Sequence, residues 1–157
     1  MNPFLVLLAL VSQTEVEYRI PSGLLHAVIS QESGYRVGAI NDRVATHSYG
    51  LGQLTYWTAK IKCGLSMREI FDPRKNVRCA AKVLRYQIDR YRGDIRFALA
   101  AYNVGTACVC IKGVFRNPED WRVCKFLAPQ KQGCSKPGLI LNRGYVNGVL
   151  AKRGSND

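Results

Sequence analysis

The sequence predicts an all-α fold, a helical bundle around one central buried helix with little or no sheet. Three observations carry this. Over Pro73–Tyr91 the apolar residues Val77, Ala81, Leu84, Ile88 and Tyr91 recur at three and four residues and so share one helix face. Ile95–Val104 is apolar nearly all round, the mark of a helix enclosed by its neighbours. No stretch alternates apolar and polar residues for long enough to make a strand.

The elements follow in chain order. Residues 1–18 admit two readings. Phe4–Tyr18 is either the first helix or an uncleaved signal-like segment, because Phe4–Val11 resembles a short secretory apolar core but lacks the basic stretch that should precede it. Residues 19–157 then form one domain without a linker. Pro21 suits a first helical turn, and the helix runs through Leu24, Leu25, Val28 and Ile29 to Glu32, where Gly34 stops it. Residues 34–49 are polar and read as a loop, followed by a short helix over Leu51–Ala59. Ser66 can cap another short helix, Met67–Phe71, and Asp94 can cap Ile95–Val104. After a loop at 105–117 come a short helix over Pro118–Phe126, a loop over Gln130–Pro137 and a last helix over Gly138–Arg153.

The chain of 157 residues is long enough for one domain to bury its own core. Its longest apolar run, Pro3–Val11, is about half of the roughly 20 residues a helix needs to cross a bilayer. Against 11 acidic residues stand 23 Lys and Arg, a net charge of +12 that implies attraction to a polyanion. The basic residues are spread along the whole chain without a dense cluster, which argues against nucleic acid as the partner.

Six cysteines, an even number, suggest disulfides and an oxidising compartment. The Asp72-Pro73 turn can fold the segments carrying Cys63 and Cys79 back on each other, so these two are expected to pair. Cys108 and Cys110 are too close to bond comfortably to one another and should reach Cys124 and Cys134, in an order left open. Cys108 and Cys110 have C-x-C rather than C-x-x-C spacing, and His26 and His47 lie far from them, so metal ligation is disfavoured.

One carboxylate sits in an apolar helical setting. Glu32 follows Leu25 by seven residues and Val28 by four, so all three share a helix face. Partial desolvation raises a carboxyl pKa, the property required of an acid that donates a proton near neutral pH. Asp42, Asp72, Asp89 and Asp94 lie in loops or at helix ends without that frame.

The segment Ile20–Tyr35, with its Glu32-Ser33-Gly34-Tyr35 ending, resembles the first motif of the soluble lytic transglycosylases. Ser48-Tyr49-Gly50-Leu51-Gly52-Gln53-Leu54 is similar to that family's G-L-M-Q segment, with Gly52 in place of the usual Met. Asp72-Pro73-Arg74-Lys75-Asn76-Val77 resembles its D-P-x-x-N helix start, Ala101-Tyr102-Asn103-Val104-Gly105 its A-Y-N-x-G segment, and Arg143-Gly144-Tyr145-Val146 its late Tyr-Val signature. The resemblance runs over roughly residues 18–150 and is poorest over Cys108–Lys136.

The resemblance implies a lysozyme-like α domain that cleaves the β-1,4 bond between N-acetylmuramic acid and N-acetylglucosamine in peptidoglycan, leaving a 1,6-anhydro end. Glu32 is then the sole general acid and base. Ser33, Gln53, Tyr102, Asn103 and Tyr145 bind substrate or orient the acid. Tyr35, Tyr49, Tyr56 and Trp57 flank the motifs and could stack on sugar faces. No metal or organic cofactor is implied. The partner is a peptidoglycan glycan strand, with a secretion, conjugation or virion assembly as a further candidate. The expected state is a monomer that is periplasmic, envelope-associated, secreted or virion-borne. Two rival readings are a goose-type-lysozyme-like hydrolase and a non-catalytic wall-binding or virion structural protein.

Overall fold

The computed structural model describes residues 2–42, 47–104 and 138–154. Helices α1 (Pro3–Glu17), α2 (Leu24–Ser33), α3 (Tyr56–Cys63), α4 (Pro73–Arg90), α5 (Ile95–Val104) and α6 (Gly138–Gly154) dominate it, as the all-α reading expects. The expected helix Pro118–Phe126 and Cys108, Cys110, Cys124 and Cys134 lie outside the described residues.

Between α2 and α3 the chain forms a small antiparallel sheet in the order β1 (Ile40–Asn41), β2 (Ser48–Tyr49), β3 (Leu54–Thr55). Ile40 stands opposite Tyr49, and Tyr49 opposite Leu54. Strands of two residues are too short to show an alternating pattern, which is why residues 34–49 read as loop.

Three helix starts differ from expectation. The helix expected from Pro21 begins at Leu24, after a turn over residues 22–23. Gln53 adopts φ 48°, outside helical geometry, and Leu54–Thr55 pair with β2, so the helix expected over Leu51–Ala59 begins only at Tyr56. Thr55 caps it, its Oγ1 accepting from the Thr58 N–H at 3.2 Å. The helix expected over Met67–Phe71 is a single 3₁₀ turn, Glu69–Phe71. Ser66 and Glu69 bond reciprocally there. The Ser66 N–H and Oγ donate to Glu69 Oε2 at 2.9 and 2.8 Å, and the Glu69 N–H reaches Ser66 Oγ at 3.4 Å. Asp72 ends the turn, and its Oδ1 accepts from the Lys75 N–H at 2.9 Å in the first turn of α4.

The chain divides into two compact units, Met1–Val83 with Val149–Asp157, and Leu84–Gly148. The first buries Leu7 and Val11 of α1, Leu24, Leu25, Val28 and Ile29 of α2, and Leu51, Ile70 and Val77. In the second, Tyr91 stacks on Phe97 with ring centroids 5.8 Å apart, and Phe97 through Ala101 of α5 are all buried, as an enclosed helix requires. Asp94 accepts the Phe97 N–H at 3.3 Å, the capping contact expected of it.

Candidate active site

Glu32 stands in the last turn of α2, half-buried, on the same helix as the fully buried Leu25 and Val28. Both ends of this helix are fixed by unusual means. Gly23 at its N-terminus has φ 73° and no side chain with which to cap. The cap comes from α1. Glu15, only 5% exposed, accepts from the N–H of Gly23 through Oε2 at 3.0 Å. Its Oε1 accepts from Leu25 at 2.7 Å and His26 at 3.2 Å. One carboxylate thus serves three N–H groups at the positive end of the helix dipole.

At the other end, Gly34 (φ 58°) and then Tyr35 (φ 63°) both take left-handed conformations. The chain leaves the helix abruptly, and the Tyr35 hydroxyl reaches the first half of α2. It donates to the His26 carbonyl at 3.2 Å and lies 2.8 Å from His26 Nδ1. On the other side of the ring, His26 Nε2 lies 2.8 Å from Ser12 Oγ of α1, so the imidazole bridges α1 and the Tyr35 hydroxyl. Burial holds His26 below its ordinary pKa, with the Glu15 charge opposing. Burial pushes Tyr35 up to about 12, with the Glu15 charge adding to the effect. Both groups are therefore neutral at pH 7.

Ser33 is buried, and its hydroxyl donates to the Ile29 carbonyl at 3.1 Å, one turn back in its own helix. Gln53 turns its amide into its own loop. Nε2 donates to the carbonyls of Gly50 at 2.8 Å and Ala39 at 3.2 Å, while Oε1 accepts from Ser48 Oγ at 2.9 Å. Beneath that loop lies Asn76, buried in α4, which receives the Gly52 N–H at 2.8 Å and donates to the carbonyls of Ile70 at 2.8 Å and Tyr49 at 3.2 Å. The loop is thereby closed from both sides. With Gly52 at the Met position, the backbone N–H at that point binds the asparagine directly.

Tyr102 and Asn103 lie in the last turn of α5, half-buried and exposed respectively, and Tyr145 is half-buried in α6. These three belong to the second compact unit, whereas Glu32, Ser33 and Gln53 belong to the first. Cys63 and Cys79 are bonded, as expected, with Cα atoms 5.8 Å apart. Among the described residues no three His, Cys, Asp or Glu side chains converge as metal ligands, and no helix is long and apolar enough to cross a membrane.

Three features escaped sequence reasoning. Asn76 had a signal, the D-P-x-x-N spacing, but not its role under the loop. Tyr35 stands in the motif, but the engagement of its hydroxyl with His26 leaves no sequence signal. Glu15 left no local trace, because its partners lie 8 to 11 residues away across a turn.

A helical domain with a half-buried glutamate ending a capped helix, followed by a glycine-rich loop tied to an asparagine, defines a class. Residues 9–114 match the transglycosylase SLT domain, and the chain belongs to that family. The match ends before α6, so Tyr145 lies beyond it. A transglycosylase of Enterobacteria phage PRD1 is 32% identical over 96 residues, which cover 61% of this chain and 34% of the relative. Among solved structures, an inactive mutant of lytic transglycosylase Slt from Pseudomonas aeruginosa matches with a TM-score of 0.67 at 22% identity. The 70 kDa soluble lytic transglycosylase of Escherichia coli matches at 0.68 and 21%. Each alignment covers 92% of this chain and 23% of the other. The chain thus spans about a third of the curated relative's length and less than a quarter of either solved structure.

Proposed function

We propose that this chain is a peptidoglycan lytic transglycosylase with Glu32 as its only general acid and base. The observation that carries the reading is the family match over residues 9–114, which brackets Glu32 in its anchored helix. Glu32 gives its proton to the glycosidic oxygen as the bond from that oxygen to C1 of the muramoyl residue breaks. The muramoyl 2-acetamido group stabilises the cationic C1, so a second carboxylate is not required. The Glu32 carboxylate then takes the proton from the muramoyl O6 as O6 bonds to C1. The 1,6-anhydro end leaves, and the acid is regenerated.

The roles of Gln53 and Ser33 follow where each side chain is engaged, and those of Tyr102, Asn103 and Tyr145 rest on the resemblance of their motifs. Gln53 is a positioning residue that holds the Gly50–Gln53 loop, since its amide is turned inward. Ser33 fixes the last helical turn beside Glu32 through its bond to Ile29. Tyr102, Asn103 and Tyr145 contact the acetamido groups or the sugar rings. The phage relative favours a virion-borne setting for the activity.

Mass spectrometry of muropeptides released from purified sacculi by wild type and by Glu32→Gln tests the reading. Wild type should release 1,6-anhydro products. The variant should lose at least about ten-thousandfold in rate, because general acid–base catalysis contributes roughly 100- to 10,000-fold and one group plays both parts. Reducing ends in place of anhydro ends would make the enzyme a hydrolase. A tenth of the wild-type rate retained in Glu32→Gln would remove Glu32 from the chemistry.

A further inference from the structure

Helix α3 contributes little to the core. Of its eight residues only Ala59 is buried. It is held by its ends, by the Thr55 cap at one and by Cys63 at the other, bonded to Cys79 of α4. A short helix that buries one alanine and is stapled covalently is built for what it displays. Trp57 is 64% exposed and Ile61 71% exposed, four residues apart and so on one face, with Lys60 beside them. The Lys60 ammonium stands 5.5 Å from the centre of the Tyr56 ring and 5.9 Å from that of Trp57. The two rings are 5.9 Å apart and tilted by 52°. Lys60 and Lys62 are the only charged residues of the helix, which carries no acid.

An exposed indole beside a half-buried phenol and an ammonium suits a sugar ring that carries an anionic group. The ring's C–H face stacks on the indole, and the carboxylate meets the lysine. We propose that the Tyr56–Trp57–Lys60–Ile61 face of α3 docks a glycan strand bearing carboxylate side groups, away from the bond that is cleaved. The identity of the strand as peptidoglycan, whose peptide stems carry the carboxylates, rests on the function proposed above. A lipid surface fits less well, because a membrane-lying helix presents a broad continuous apolar face and α3 offers two isolated apolar residues with a lysine between them. The platform begins three residues after Gln53, so it flanks the loop that residue closes. It would hold a long strand while Glu32 acts.

Binding of the 157-residue chain to washed sacculi, measured in the Glu32→Gln background to prevent cleavage, tests the platform. Trp57→Ala should weaken binding about tenfold, the loss typical of an aromatic anchor, and Trp57→Phe should restore most of it. Lys60→Gln should weaken binding by less and reduce its salt dependence. With Glu32 restored, Trp57→Ala should slow the digestion of sacculi by more than that of a soluble tetrasaccharide-peptide, the shortest muropeptide that holds the cleaved bond. Unchanged sacculus binding in Trp57→Ala, with the same thermal unfolding as the parent, would overturn the proposal. So would loss of binding to anionic phospholipid vesicles with sacculus binding intact. If Trp57 governs sacculus binding while wild type releases no muropeptides, the platform stands and the lytic reading fails.

Discussion

Helices α2 and α3 precede and follow the small sheet in the chain and have similar lengths of 10 and 8 residues. Both end on a left-handed glycine, Gly34 and Gly64. They are held in opposite ways. Six of the residues of α2 are buried, including four large aliphatic ones, and its N-terminus is capped by a carboxylate from another helix. In α3 one alanine is buried, the cap is its own flanking threonine, and the far end is covalently tied. The first arrangement fixes a half-buried acid in place and leaves only His26, Ser30, Gln31 and Glu32 of the helix partly exposed. The second leaves almost the whole helix available and obtains its order from the ends. Chemistry that depends on one orientation belongs on the packed helix, and capture of a large flexible polymer belongs on the displayed one.

Truncating each helix at an isoleucine should separate them most widely. Ile29→Ala in α2 should cost about 2–5 kcal/mol, because the site is fully buried. Ile61→Ala in α3 should stay within about 0.5 kcal/mol. Urea unfolding measures both, and equal costs would dissolve the contrast. Replacing Cys63 and Cys79 together by Ser should cost roughly 3 kcal/mol, given a sequence separation of 16. Amide exchange should then rise in α3 and stay slow in α2. Glu15→Gln should do the reverse, since it removes the charged acceptor of three N–H groups. We expect a loss of about 1.5–3 kcal/mol, with faster exchange at Leu25 and His26 and no change in α3.

The smallest effects are those of pH, and they too fall on different regions. His26 binds its proton more weakly when folded, so its contribution is complete above its ordinary pKa of 6.5. It is lost as pH falls through 6.5 toward the lower folded value. Glu69, bonded to Lys75 and Ser66 in the connection from α3 to α4, is held at about 2 against an ordinary 4.5. Its contribution is present above 4.5 and disappears between about 4.5 and about 2. On acidification the α1–α2 contact should loosen first and the α3–α4 connection later. His26→Gln should flatten the decline near pH 6.5 and leave the one below 4.5 intact. A titration followed by imidazole and backbone NMR signals resolves the two.

Long elements were legible because their signals are local. The apolar run over Ile95–Val104 and the stop at Gly34 needed nothing beyond neighbouring residues. Glu32 was legible as a candidate from its place in an apolar stripe, and Cys63–Cys79 from the turn between them. The helix start at Tyr56 was missed because a strand of two residues and the left-handed Gln53 intervene, and neither leaves a pattern. The glutamate cap and the role of Asn76 were missed for a different reason. Their partners are backbone groups, and backbone groups have no identity in a sequence. A side chain that serves another segment's main chain is visible only after the fold has brought the two together.

The loop over Asn76 has a consequence for how this protein can vary. A methyl group added at Gly50 would sit 2.3 Å from the Asn76 side-chain nitrogen and 3.0 Å from the Ile70 carbonyl, at a φ of 73° that already disfavours any side chain. Removing Asn76 to make room would strand the Gly52 N–H and two carbonyls. Neither position can be exchanged first. A mutagenesis library should therefore find single exchanges at either position defective, because the two residues depend on each other although 26 positions separate them in the chain.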